Sequence, residues 1–91
     1  MEDPFHDIIV HLFHFQGVIL VEYNVHLTWD SEAAVWLATS EDIIGLALES
    51  GSADALIERV RFAVPELLAL NHQLPAAALR FQLERYERIP A

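Results

Sequence analysis

The chain has no cysteine and no lysine, and only three glycines and four prolines among its 91 residues. Without cysteine there are no disulfides, zinc ribbons or thiol chemistry. Without lysine, five arginines are the only fixed cations against fourteen acidic residues, a formal charge of −9 at neutral pH. Nucleic-acid surfaces need clustered cations against phosphate, so that role is not expected. Glycine is too scarce for a phosphate-cradling loop, and no Ser-His-Asp pattern is present. A secretory leader needs a basic start, whereas Met1-Glu2-Asp3-Pro4 is acidic. The longest apolar stretch, Ile8 to Val21, is broken by His11, His14 and Gln16 and falls short of the ~20 residues of a spanning helix. The expectation is a soluble, cytoplasmic protein.

What is present is a folded domain. A hydrophobic content of 54% excludes disorder, and the length allows one small core. No linker, repeat or low-complexity run divides it, so residues 1–91 read as one domain, with 1–19 as an appendage to a core over 20–91.

Residues 4 to 16 read as an amphipathic helix. Phe5, Ile8, Ile9, Leu12 and Phe13 recur at helical spacing, with Asp3 as cap, Pro4 in the first turn and Gly17 just past the end. From Val21 the period becomes two: Tyr23, Val25, Leu27 and Trp29 alternate with Glu22, Asn24, His26 and Thr28. Asp30-Ser31-Glu32-Ala33 reads as a turn, Val35 to Ser40 as a second strand and Ile44 to Ser50 as a third, with Gly45 a bulge or close approach. Ser52 can cap a long helix carrying Leu56, Ile57, Val60, Val64, Leu67 and Leu68 on one stripe. Pro65 predicts a kink or break before Glu66, and the helix should end near Asn71-His72. Ala78 to Ile89 alternates again as a strand. The expected fold is α+β, an N-terminal helix and then β-β-β-α-β. A right-handed crossover gives sheet order 3-2-1-4, with one face under the long helix.

Trp29-Asp30-x-Glu32-Ala33-x-x-Trp36, then Asp42-x-x-Gly45-Leu46, then Pro65-Glu66-Leu67-Leu68-x-Leu70-Asn71, resemble the HicB-like antitoxin superfamily over roughly Val21 to Ile89. The last motif looks like that of a short bacterial family within it. The resemblance implies a partial RNase H-like fold and, as in HicB antitoxins, a partner that is a small basic ribonuclease toxin. The usual C-terminal DNA-binding domain has no counterpart before Ala91, so DNA binding is not carried over. The segment 4–16 has no counterpart either.

The candidate chemistry is sparse. A two-metal nuclease needs several convergent carboxylates. The first strand offers Asn24 and His26 at its centre instead, while Glu49, Glu66 and Glu84 sit on separate elements. Asp7, His11 and His14 share one face if residues 4–16 are helical, at a spacing that can bind Zn²⁺ or Ni²⁺. HExxH is missing, however, no fourth ligand is evident, and a solvated polar face is the better reading. Trp29 and Trp36 could stack a base or simply pack, and Asp30 and Glu32 suit turn hydrogen bonds.

The expected function is a non-enzymatic interaction module without cofactor, binding a basic partner through Trp29, Asp30, Glu32, Trp36 and Glu49. The alternative is a metal-binding regulator or metal-dependent hydrolase using Asp7, His11 and His14. A homodimer is expected from the apolar stripe of the N-terminal helix.

Overall fold

The computed structural model describes residues 11–15 and 18–90. Strands β1 (His11–Phe15), β2 (Val18–Asp30), β3 (Val35–Thr39) and β4 (Ala47–Ser50) are followed by helix α1 (Ala53–Leu70) and strand β5 (Ala78–Glu84). All five strands form one sheet.

The N-terminal helix is not formed across the part of 4–16 that is described. His11–Phe15 is a strand, antiparallel to β2 from His11↔Glu22 to Phe15↔Val18. Residues 4–10 of the expected helix lie outside the described residues. His-Leu-Phe-His-Phe is short and aromatic, a window in which helical and strand spacing cannot be told apart. Pairing with the neighbouring strand decides it.

The core order is β4-β3-β2-β5. β2, β3 and β4 are antiparallel neighbours, and β5 is parallel to β2 from Glu22↔Ala78 to Thr28↔Glu84. Glu22 has partners on both sides, His11 and Ala78, so β1 and β5 lie on opposite edges of β2. β1 and β3 therefore share the other edge, end to end.

The alternation along β2 makes one face of the sheet apolar. Val21, Tyr23, Val25 and Leu27 are buried with Ala38 against Leu56, Val60, Val64 and Leu68 of α1, and Ile43 and Leu46 close the core. At about 25 cal/mol per Å² of apolar surface, this layer is the main stabilising term. Ser52 caps α1 through the Ala55 N–H. The helix runs unbroken through Pro65 instead of breaking before Glu66. Pro65 and Arg61, whose carbonyl loses its intrahelical partner, are both exposed, which keeps the cost of the lost bond low.

Element boundaries also differ from the sequence reading. β4 begins at Ala47, not Ile44, and β5 ends at Glu84, before Ile89. Gly45 is no bulge. It takes φ +82° in the turn ahead of β4, and a methyl there would meet Leu67 only at ordinary contact distance.

Candidate functional site

Two regions gather polar groups: the β3-side edge of β2, and the sheet face away from α1.

Between Glu22, the last β2 residue paired with β1, and His26, the first paired with β3, Asn24 has no strand partner on that edge. Its N–H donates to Asp42 Oδ2 at 2.8 Å, and its carbonyl accepts from the Ser40 hydroxyl. Ser40 Oγ in turn accepts from the N–H groups of Asp42 and Ile43, at 3.0 and 3.1 Å. Asp42 is only 3% exposed. Gln73, just past α1, donates to the Asp42 carbonyl at 2.8 Å and accepts from the Ile44 N–H at 3.2 Å. Asn71 donates to the Ile44 carbonyl. Loop 40–46 thus plugs the gap in the sheet edge, and two amides from the helix end hold it there. Tyr23 lies beside it, its hydroxyl donating to the Leu74 carbonyl at 2.7 Å. Burial first, and then the nearby Asp42 carboxylate, push the Tyr23 phenol above its ordinary pKa of 10.0.

This latch has no spare chemistry. No buried side-chain nitrogen or oxygen among the described residues lacks a partner. Sequence reasoning passed over Ser40, Tyr23 and Gln73. Only Asp42 and Asn71, inside the quoted motifs, pointed towards the loop.

The other motif residues also support the fold. Asp30 Oδ1 accepts from the N–H groups of Glu32 and Ala33, closing the β2–β3 turn. Trp29 and Trp36 face each other across β2 and β3, ring centres 5.6 Å apart at 59°. The Arg85 guanidinium lies 4.3 Å above the Trp29 ring.

The five partner-binding candidates are not gathered into one patch. Trp29 and Trp36 share the helix side with Leu27 and Ala38, whereas Asp30 and Glu49 occupy the opposite parity and Glu32 is in the turn. Of the metal candidates, Asp7 lies outside the described residues, and His11 and His14 lie on strand β1 and not on a helix. Among the described residues no three His, Asp or Glu side chains gather as a metal site.

The face away from α1 is polar, and its charge is mostly negative. Register places Glu22 and Asp30 of β2, Glu49 of β4 and Glu84 of β5 there, with Arg80 the one fixed cation on these strands. Arg80 pairs with Glu22 at 3.0 Å. No described element covers this face.

Residues 22–90 match a family model described as a domain of unknown function, DUF1902. The chain belongs to the DUF1902 family. β1 and the first residues of β2 precede the matched span, so the DUF1902 unit here is β2 to β5 with α1. The chain is also similar to a crystal structure of a hypothetical protein, TTHA1013, from the extremely thermophilic bacterium Thermus thermophilus. Identity is 33% over 77% of this chain and 99% of that one, with a TM-score of 0.61. No curated protein matches the sequence. In this DUF1902 domain the residues that stand out as motifs are the ones that close turns, plug the sheet edge and cap the helix. No described helix is long and apolar enough to cross a membrane.

Proposed function

We propose that this DUF1902 domain is a non-enzymatic, cytoplasmic interaction module, similar in kind to the toxin-binding domain of HicB-like antitoxins. Its partner is a small basic protein that docks on the sheet face opposite α1. The observation that carries this reading is the charge of that face, where Glu22, Asp30, Glu49 and Glu84 outnumber Arg80. A chain at −9 attracts a cationic partner over a Debye length, about 8–10 Å in physiological salt, and an acidic face orients the encounter. The linked motifs quoted above support the family likeness.

The test is capture from the host at low ionic strength, with the bound protein identified by mass spectrometry and titrated against the purified chain. A basic protein of about the same size is expected, its affinity falling roughly tenfold or more on raising salt or in the Glu49→Lys variant. Recovery of no basic partner, or binding indifferent to both salt and Glu49→Lys, overturns the reading.

A further inference from the structure

Strand β5 has β2 on one side and, among the described residues, no partner on the other. An unpaired strand edge presents a row of free N–H and C=O groups, which a second strand can satisfy. The side chains along β5 say what kind of strand fits. On the helix side Leu79, Phe81 and Leu83 alternate, and Leu83 remains 49% exposed beyond the cover of α1. On the other side Arg80, Gln82 and Glu84 alternate, all exposed. Beside the edge runs an apolar groove of about 310 Å³ between α1 and β5, its floor formed by Val64, Pro65, Leu79 and Phe81. Phe62, 80% exposed, stands on α1 one residue from Arg61, which lines the same groove.

We infer that the free edge of β5 is a dimerisation edge, at which the β5 strand of a second copy of this chain pairs antiparallel about a two-fold axis through Gln82. The pattern Arg80-Phe81-Gln82-Leu83-Glu84 is complementary to its own reverse. Centred on Gln82, the register sets Arg80 opposite the second copy's Glu84, and Glu84 opposite its Arg80. On the helix side it sets Phe81 opposite Leu83, twice. Like side chains stay on like faces because residue numbers in each pair sum to an even value. Centring on Arg80 or on Glu84 would set like charges opposite each other, which is unfavourable. Centring on Phe81 or on Leu83 leaves both charges without an opposite partner. The Arg80 guanidinium can hold Glu22 of its own chain and still meet a second carboxylate, since it carries five donors. The interface is isologous and therefore closes at two copies, joining two sheets into one. It uses the sheet edge where the basic-partner reading uses the face; Arg80 and Glu84 belong to both, whereas Glu49 belongs to the face alone.

A charge-exchange experiment on the full chain tests the inference, with mass in solution read by sedimentation or light scattering across a concentration series. The wild type should be a dimer at micromolar concentration. Glu84→Arg sets Arg against Arg80 at both symmetric positions, and Arg80→Glu sets Glu against Glu84, so each variant alone should dimerise roughly tenfold or more weakly. Mixed together they restore opposite charges at both positions, and a heterodimer should form at the concentration where each alone is a monomer. Circular dichroism and melting of each variant monitor the fold separately. A wild type that stays monomeric overturns the inference. So does a dimer indifferent to both substitutions, and so do two weakened variants that do not recover on mixing.

Discussion

The two edges of β2 are treated in opposite ways. On the β3 side, where Tyr23, Asn24 and Val25 have no neighbouring strand residue, both Asn24 backbone groups are satisfied by Asp42 and Ser40, and that loop is held in turn by Asn71 and Gln73. On the other side β2 is covered by β5, but β5 ends the described sheet with Leu83 half exposed and an apolar groove alongside. One edge is finished from within the chain by buried polar groups, where an unmade hydrogen bond is costly. The other has no strand partner among the described residues. An edge plugged from within belongs to the fold, and an edge left open with a self-complementary pattern is where an outside strand can add.

Deleting a side chain at each edge should break this symmetry most sharply. Asp42→Ala leaves the Asn24 N–H without its acceptor inside the protein and should lower unfolding free energy by about 2–3 kcal/mol. Leu83→Ala on β5 should cost about 1 kcal/mol or less in the monomer, since about half of the residue is already in water. Denaturant titration at low protein concentration reads both, and equal losses would erase the distinction.

The connection that delivers β5 is anchored by Tyr23, whose hydroxyl holds the Leu74 carbonyl, and by the Ala77 N–H on the Val21 carbonyl. Tyr23→Phe should cost about 1 kcal/mol. Because the folded-state pKa of Tyr23 is raised, the native state keeps the phenolic proton where the unfolded chain has begun to lose it. Stability from this group is therefore complete below pH 10 and is lost as pH climbs through the raised folded value. Chemical denaturation between pH 8 and pH 11 should show that decline in the wild type and a shallower one in Tyr23→Phe.

The smallest expected effect lies at the helix end. The Gln73 N–H bonds the Leu68 carbonyl and the His72 N–H the Ala69 carbonyl, while His72 sits at φ 55° in the left-handed region that glycine prefers at this position. His72→Gly should raise stability by about 0.5–1 kcal/mol, seen as a small upward shift in melting temperature. No gain would mean that the His72 side chain offsets the strain of its own backbone.

The core was legible because its periods are long and consistent. Nine residues alternating from Val21 to Trp29, and a stripe from Leu56 to Leu68, specify a half-buried strand and its covering helix with few alternatives. A right-handed crossover then places β5 parallel beside β2. His11–Phe15 was misread because five residues rich in aromatics carry no decisive period, and the strand state exists only through its pairing with Val18–Glu22. The candidate site was legible as motifs but not as roles. Asp42 and Asn71 stood out in the sequence, yet their partners are 18 and 27 residues away. Trp29 and Asp30 are adjacent in sequence and point to opposite sides of the sheet.

Periodicity and composition, both local quantities, determine that this chain folds as one small α+β layer pair, carries an excess of nine negative charges and lacks the ligands of thiol or zinc-ribbon chemistry. Only the tertiary structure decided that the gap beside Asn24 is closed by loop 40–46, that the acids of β2, β4 and β5 share one face, and that the outer edge of β5 has no partner among the described residues. Each of these depends on which strands lie side by side. That is set by packing α1 onto the sheet and by the register of strands far apart in the chain, neither of which a local pattern contains.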